Sequence, residues 1–139
     1  MNAHVHMKNI TDLQPAGLTV RQAAGMLNAG AVIVDIRETC AFNLLTFGAG
    51  TIVNIPSVNL VSLKHMLPPA SDIILADLDG STCIKVFDQY RALASGKIYW
   101  MAGGLLQWKN EGFPVKGTLH DTMNEWGEDS SQCYTCCRK

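Results

Sequence analysis

What this chain lacks narrows its class before any motif is read. It has no run of roughly 18 or more consecutive apolar residues, so no membrane-crossing helix is expected. Residues 1–17, MNAHVHMKNITDLQPAG, contain no unbroken apolar stretch of the secretory-signal kind. A dominant charge is also missing. Eleven basic residues against 12 acidic ones leave a formal net charge of −1, too little to hold nucleic acid or an anionic membrane by counterion release. Neither kind of partner is expected. An even, well-spread set of cysteines is absent too: of the five, Cys133, Cys136 and Cys137 crowd the last seven residues. That is no disulfide framework, and a reducing, cytoplasmic compartment fits it better.

What is present is enough apolar material for one core. At 139 residues, with 47% apolar and 17% charged, the chain reads as a single domain. In VRQAAGMLNAG, Val20, Ala23, Ala24 and Leu27 fall at i, i+3, i+4 and i+7, with Thr19 as N-cap and Gly30 as stop. This spacing predicts an amphipathic helix. The runs AVIVDI (31–36), TIVNIP (51–56), DIILAD (72–77) and KIYWM (97–101) are short, apolar and rich in β-branched residues, as strands buried on both faces are. Between them, TCAFNLLTFG and NLVSLKHML predict helices, the second ended by Pro68 and Pro69. Cys83, Phe87, Tyr90 and Ala94 line one face of a longer helix running to about Ser95. After Ala102-Gly103-Gly104, GLLQWKNEG predicts a last helix closed by Gly112, with Pro114 beyond it. Strand-helix alternation with short connections predicts an α/β fold of three layers. About five mostly parallel strands would carry helices on both faces, with ligands at the strands' C-terminal ends. The loops after Ile36 and Ala76 become the places for chemistry.

The order VDIRE (34–38), a glycine-containing stretch leading into NIP (54–56), an apolar strand with a six-residue loop opening a helix, and MAGGLLQWKNEGFPV (101–115) resembles a rhodanese-like, single-domain sulfurtransferase. The resemblance covers about residues 18–117. Residues 1–17 would then be an extension and residues 118–139 a cysteine-rich tail. The family places a cysteine at the mouth of a C-x-x-G-x-R loop after the third strand, where backbone amides and a helix N-terminus hold a persulfide or an oxyanion. Here that loop aligns with Asp77, Leu78, Asp79, Gly80, Ser81 and Thr82, with Cys83 opening the helix. Gly80 is retained. Asp77 stands at the cysteine position and Thr82 where arginine is common.

A carboxylate cannot carry sulfane sulfur, so Asp77 is expected to be non-catalytic for persulfide chemistry. It is also an anion of the right size for a cradle of amides, and is expected to turn inward and fill the site its own loop creates. Asp79 reads as a cap of the following helix. Cys83 offers an alternative thiol, which the helix dipole would activate, but it also lies on the apolar stripe, where a buried free cysteine is an ordinary core residue. Asp35 and Arg37 are expected to support the loops structurally. Cys40 is expected to be structural. The segment FGAGTI (47–52) lacks the histidine that the family usually carries before that strand.

Two further readings compete. IILADLDGST also resembles the first motif of haloacid-dehalogenase-type phosphatases, with Asp77 as nucleophile and Asp79 as acid/base beside Mg²⁺. That motif ordinarily opens its domain and needs a later lysine and acidic pair. Here only Lys85 and Lys97 offer the lysine, and Asp121, Glu125, Glu128 and Asp129 follow no apolar strand. In the tail, Cys133 and Cys136 have the spacing of a metal or redox pair, with Cys137 a third sulfur. Zinc would need a fourth ligand, such as His4, His6 or His120. Otherwise the tail thiols would relay sulfur or serve no site. No other cofactor is expected, and whether the chain is an enzyme stays open. The expected role is a binding or regulatory module, with a protein or a sulfur donor or acceptor as partner; the alternative is a sulfurtransferase working through Cys83 or the tail.

Overall fold

The structure, a computed structural model, describes residues 16–117. Five parallel strands form the central sheet: β1 (Gly17–Leu18), β2 (Val32–Asp35), β4 (Thr51–Asn54), β5 (Ile73–Ala76) and β6 (Ile98–Met101), in the spatial order β1-β6-β5-β2-β4. A separate antiparallel pair joins β3 (Thr46–Phe47) to β7 (Val115–Lys116). Every residue of β2 and β5 is buried, as expected for central strands covered on both faces.

Helices supply that cover. On one face lie α1 (Val20–Asn28) and α5 (Gly104–Asn110), which pack Val20, Ala23, Leu105 and Trp108 against Ile33, Ile74 and Met101. On the other lie the short α3 (Leu60–Leu63) and the long α4 (Ser81–Leu93), bringing Leu60, Cys83 and Tyr90 against Val34, Leu75 and Trp100. The remaining helix, α2 (Thr39–Leu44), follows β2. Strand residues alternate between the two cores, so each helix owns one set of side chains. The three-layer α/β architecture expected from the alternation is the one observed.

Local signals explain most boundaries. The Thr19 hydroxyl accepts from Gln22 N at 3.1 Å while Gln22 Oε1 accepts from Thr19 N at 2.9 Å, a reciprocal cap that starts α1. Three details differ from expectation. The segment 57–66 is no single helix but a 3₁₀ turn (Ser57–Asn59), α3 and a second 3₁₀ turn (Lys64–Met66). Only Leu60 is buried within it, so tertiary packing does little to regularise it. Helix α4 stops at Leu93, where Ala94 turns extended and its N–H caps Tyr90 O. Thr46–Phe47 lies in a strand, and β1, β3 and β7 are too short to show any periodicity.

The AGG…W…GFP stretch has a packing reason. Trp108 stacks edge-on against Phe47 and face-tilted against Phe113, and its Nε1 donates to Pro114 O at 2.6 Å. That bond ties the end of α5 to the β3–β7 pair.

Candidate active-site loop

The chain turns out of β5 at Asp77, beside the C-terminal end of β2, since Ala76 pairs with Asp35. Asp77 is only 3% exposed. Its carboxylate points back into its own loop: Gly80 N donates to Oδ1 at 2.6 Å and Thr82 N to Oδ2 at 2.8 Å. The Cys83 thiol also donates to Oδ1, at 3.5 Å. Three donors at the first turn of α4 therefore converge on one anion, where the helix dipole favours negative charge.

Glycines let the loop take this shape. Gly80 has φ 94°, and a Cβ there would sit 3.2 Å from Gly103 N and 3.3 Å from Met101 O. While the loop's amides face inward, its carbonyls face the start of α5, with Leu105 N donating to Asp77 O at 2.9 Å and Leu106 N to Leu78 O at 3.0 Å. Gly104, at φ 58°, leaves room for this contact; a Cβ would meet Asp77 O at 2.5 Å. The double glycine is therefore the seat of the loop, a role that sequence reading missed beyond its being a break in pattern.

The remaining loop residues divide simply. Asp79 is exposed and its Oδ1 accepts from Ser81 N at 3.0 Å and Ser81 Oγ at 2.7 Å, which holds its carboxyl below the ordinary range. It caps α4 and faces water. Ser81 and Thr82 are exposed, as is Leu78. Cys83 is fully buried, and burial followed by the Asp77 charge pushes its thiol well above the usual range. Both burial and the neighbouring carboxylate act against the activation that the helix end would give an exposed thiol here, and the side chain lies on the buried stripe with Tyr90.

Asp35 and Arg37 form the neighbouring scaffold. Asp35 is fully buried and accepts from Arg37 Nε at 3.0 Å, Arg37 Nη2 at 2.8 Å and Thr46 Oγ1 at 2.8 Å. Arg37 Nη2 also donates to Leu45 O at 2.6 Å. Asn54 Nδ2 bridges Asp35 O and Arg37 O, at 3.0 and 2.9 Å, while its Oδ1 accepts from Thr39 Oγ1. The guanidinium is thus committed to its own carboxylate and the β3 entry. Thr46 carried no sequence signal for this part; Asn54 stood in the NIP motif without an assigned role.

Among the described residues, no group of three His, Cys, Asp or Glu side chains could hold a metal ion, and no helix is long and apolar enough to cross a membrane. The carboxylate cluster that a Mg²⁺-dependent phosphatase would need is not formed there, and both oxygens of Asp77 are taken by its own loop. Cys133, Cys136, Cys137, His4, His6 and His120 lie outside the described residues.

Comparison with known proteins agrees with the geometry. No family model matches the chain. A thiosulfate sulfurtransferase of Arabidopsis thaliana, number 18 of its series, is 28% identical over 108 residues, covering 69% of this chain and 79% of the relative. A solved rhodanese-related protein of Thermoplasma volcanium superposes with TM-score 0.61 at 20% identity, over 72% of this chain and 96% of that one. The rhodanese-like domain of an Anabaena protein gives 0.63 at 20% identity, over 73% and 79%. A rhodanese-like domain protein of Staphylococcus aureus gives 0.59 at 17%, over 73% and 98%.

Proposed function

The chain carries a rhodanese-like domain, and from that premise we propose that it acts as a binding or regulatory module in which the sulfurtransferase chemistry of the fold is disabled at Asp77. One observation carries the proposal: the Asp77 carboxylate accepts Gly80 N and Thr82 N and so occupies the amide cradle from within. A carboxylate has no sulfur to carry, and it fills the space an external anion would need. Exposed Asp79 adds a second negative charge at the mouth, which repels thiosulfate or phosphate. Cys83, fully buried and with its thiol pushed up by burial and the Asp77 charge, is placed against serving as a replacement nucleophile. Residues 18–117 act as the domain, in the cytoplasm, with a protein as partner.

The test is exposure of the full chain to a persulfide donor, followed by peptide mass spectrometry for a +32 Da adduct (one sulfur atom) and a thiosulfate:cyanide assay. The expected result is no adduct on residues 77–83 and no turnover. A sulfane adduct on Cys83, or thiosulfate held at this loop with millimolar affinity in an NMR titration, overturns the proposal.

A further inference from the structure

The sheet ends in an open edge. Strand β4 pairs with β2 on one side and is the last strand in the spatial order, while the opposite edge strand, β1, is only two residues long. One bond fixes which way the backbone groups of β4 point. Ile55 N donates to Asp35 O at 3.0 Å, and successive residues of a strand turn their N–H and C=O to opposite sides. Thr51, Val53 and Ile55 therefore bond toward β2, and Ile52 and Asn54 turn their backbone outward. Among the described residues, no hydrogen bond takes up the outward N–H and C=O of either.

The usual guards of an edge are missing here. Natural edge strands carry charged side chains, a proline or a bulge. Residues 39–63 hold no Asp, Glu, Lys, Arg or His, and Pro56 lies beyond the strand. That stretch comprises α2, β3, β4, the Ser57–Asn59 turn and the whole of α3. Within it Val58 and Val61 are 80% and 79% exposed, in the segment that Ser57 N ties to Ile36 O just past the end of β2. An uncharged stretch with exposed apolar side chains thus carries the unpaired backbone groups.

We propose that β4 is a homodimer interface, pairing antiparallel with β4 of a second copy about a two-fold axis at Val53. The backbone is self-complementary in that register. Ile52 exchanges both of its bonds with Asn54 of the second copy, and Asn54 does the same with Ile52 of that copy, so every outward group is satisfied. Val53 then stands opposite Val53 of the second copy, a close β-branched pair. Charge favours this occupant. A two-fold interface sets the same patch against itself, so a face of one sign would repel its copy. Residues 39–63 have no charge to repel with, and none with which to select an acidic or a basic partner. Pairing β4 with β1 of another copy would be head-to-tail and non-closing, and β1 offers two residues against four. The inference goes beyond the proposed function and does not rest on it, since the loop at 77–83 takes no part.

Sedimentation velocity of the full chain from about 1 to about 100 μM, a range that brackets micromolar Kd values, should show monomer and dimer in equilibrium and nothing larger. Hydrogen exchange read by NMR should find the amides of Ile52 and Asn54 protected at the high concentration and open at the low one, with those of Val53 and Ile55 protected at both. Two substitutions address the edge. Ile52→Pro removes an outward N–H and none of the bonds to β2, and Thr51→Lys puts a charge at an exposed edge position. Each should raise the dimer Kd roughly tenfold or more, with unchanged exchange in β5 as proof of folding; if Ile52→Pro does not fold, Thr51→Lys decides alone. A monomer throughout overturns the proposal. So does a dimer that either variant, once folded, leaves unweakened, or growth beyond two copies. Protection of Ile52 and Asn54 that survives dilution to monomer also overturns it, because another part of the same chain would then cover the edge. A persulfide adduct on Cys83 would overturn the proposed function and leave these results unchanged.

Discussion

Replacing Asp77 by alanine is the sharpest test of a self-filled cradle. The carboxylate accepts two backbone N–H bonds, at 2.6 and 2.8 Å, and hydrogen bonds to a charged group contribute about 1.5–3 kcal/mol each. Against that stands the cost of burying the charge, which amounts to several kcal/mol and is returned on substitution. The amides then decide the balance. Thr82 is exposed, so its N–H can turn to water, but Gly80 is buried and its N–H would be orphaned at a cost of about 1–3 kcal/mol. A net loss of about 2 kcal/mol is expected, close to the upper range for removing a helix cap. For a domain of this size that lowers Tm by about 8–16 °C, measured by circular dichroism on the full chain. Asp77→Asn should fare little better, because one oxygen is retained while the new NH₂ opposes the second amide. A Tm change below about 3 °C for Asp77→Ala, on the same scaling, would refute the reasoning, since the cradle would then not depend on its carboxylate.

Other substitutions probe the surroundings. Arg37→Ala leaves the buried Asp35 carboxylate without its partner and should cost about 3–5 kcal/mol, read as a fall in urea midpoint with unchanged slope. Gly104→Ala forces a left-handed residue and a Cβ into Asp77 O, and should cost at least about 2 kcal/mol while displacing the loop, seen as NMR shifts for residues 77–80. Cys83 should resist a thiol reagent in the folded chain at pH 8 and react only on unfolding. Its raised thiol also sets a pH dependence. The folded state holds this proton more tightly than the unfolded state does, so its contribution to stability is complete below the thiol's ordinary value of about 8.5 and is lost as pH rises above it. Cys83→Ala should therefore flatten the alkaline fall in Tm between about pH 9 and 11, a window set by the same ordinary value, even though it lowers stability at neutral pH.

Most of the fold was legible because burial writes itself into period. The runs at 31–36 and 72–77 are apolar on both faces since β2 and β5 lie mid-sheet, and Cys83 and Tyr90 share a stripe because α4 covers one core. The short strands were not legible, because two residues such as Thr46–Phe47 or Gly17–Leu18 carry no alternation, and their pairing is decided by what lies opposite. The broken helix at 57–66 was hidden for a related reason: its apolar spacing suits a helix, yet only Leu60 is buried there, with Leu63 partly covered, while Val58, Val61 and Met66 stay exposed. At the site, the motif placed Asp77, Gly80 and Arg37 in order, but it could not reveal partners. That Arg37 spends its guanidinium on Asp35 and Leu45, or that Gly104 seats the loop, follows from contacts between distant segments.

Under the proposed function, the carboxylate at position 77 accounts for keeping the fold without the chemistry. A loop built to hold an anion leaves inward amides that burial would orphan if the anion were simply removed. An apolar side chain at 77 would leave Gly80 N–H unpaired, and a large one would meet the Cys83 side chain that now bonds Asp77. A short acidic side chain satisfies both amides in the chain's own covalent frame, without the entropy of holding a free ligand. The general expectation is that rhodanese-like loops without a cysteine at this position carry short acceptors such as Asp, Asn or Ser far more often than Leu or Val. A survey of such loops in which apolar residues predominate, with the loop glycine retained, would show that the amides find partners some other way.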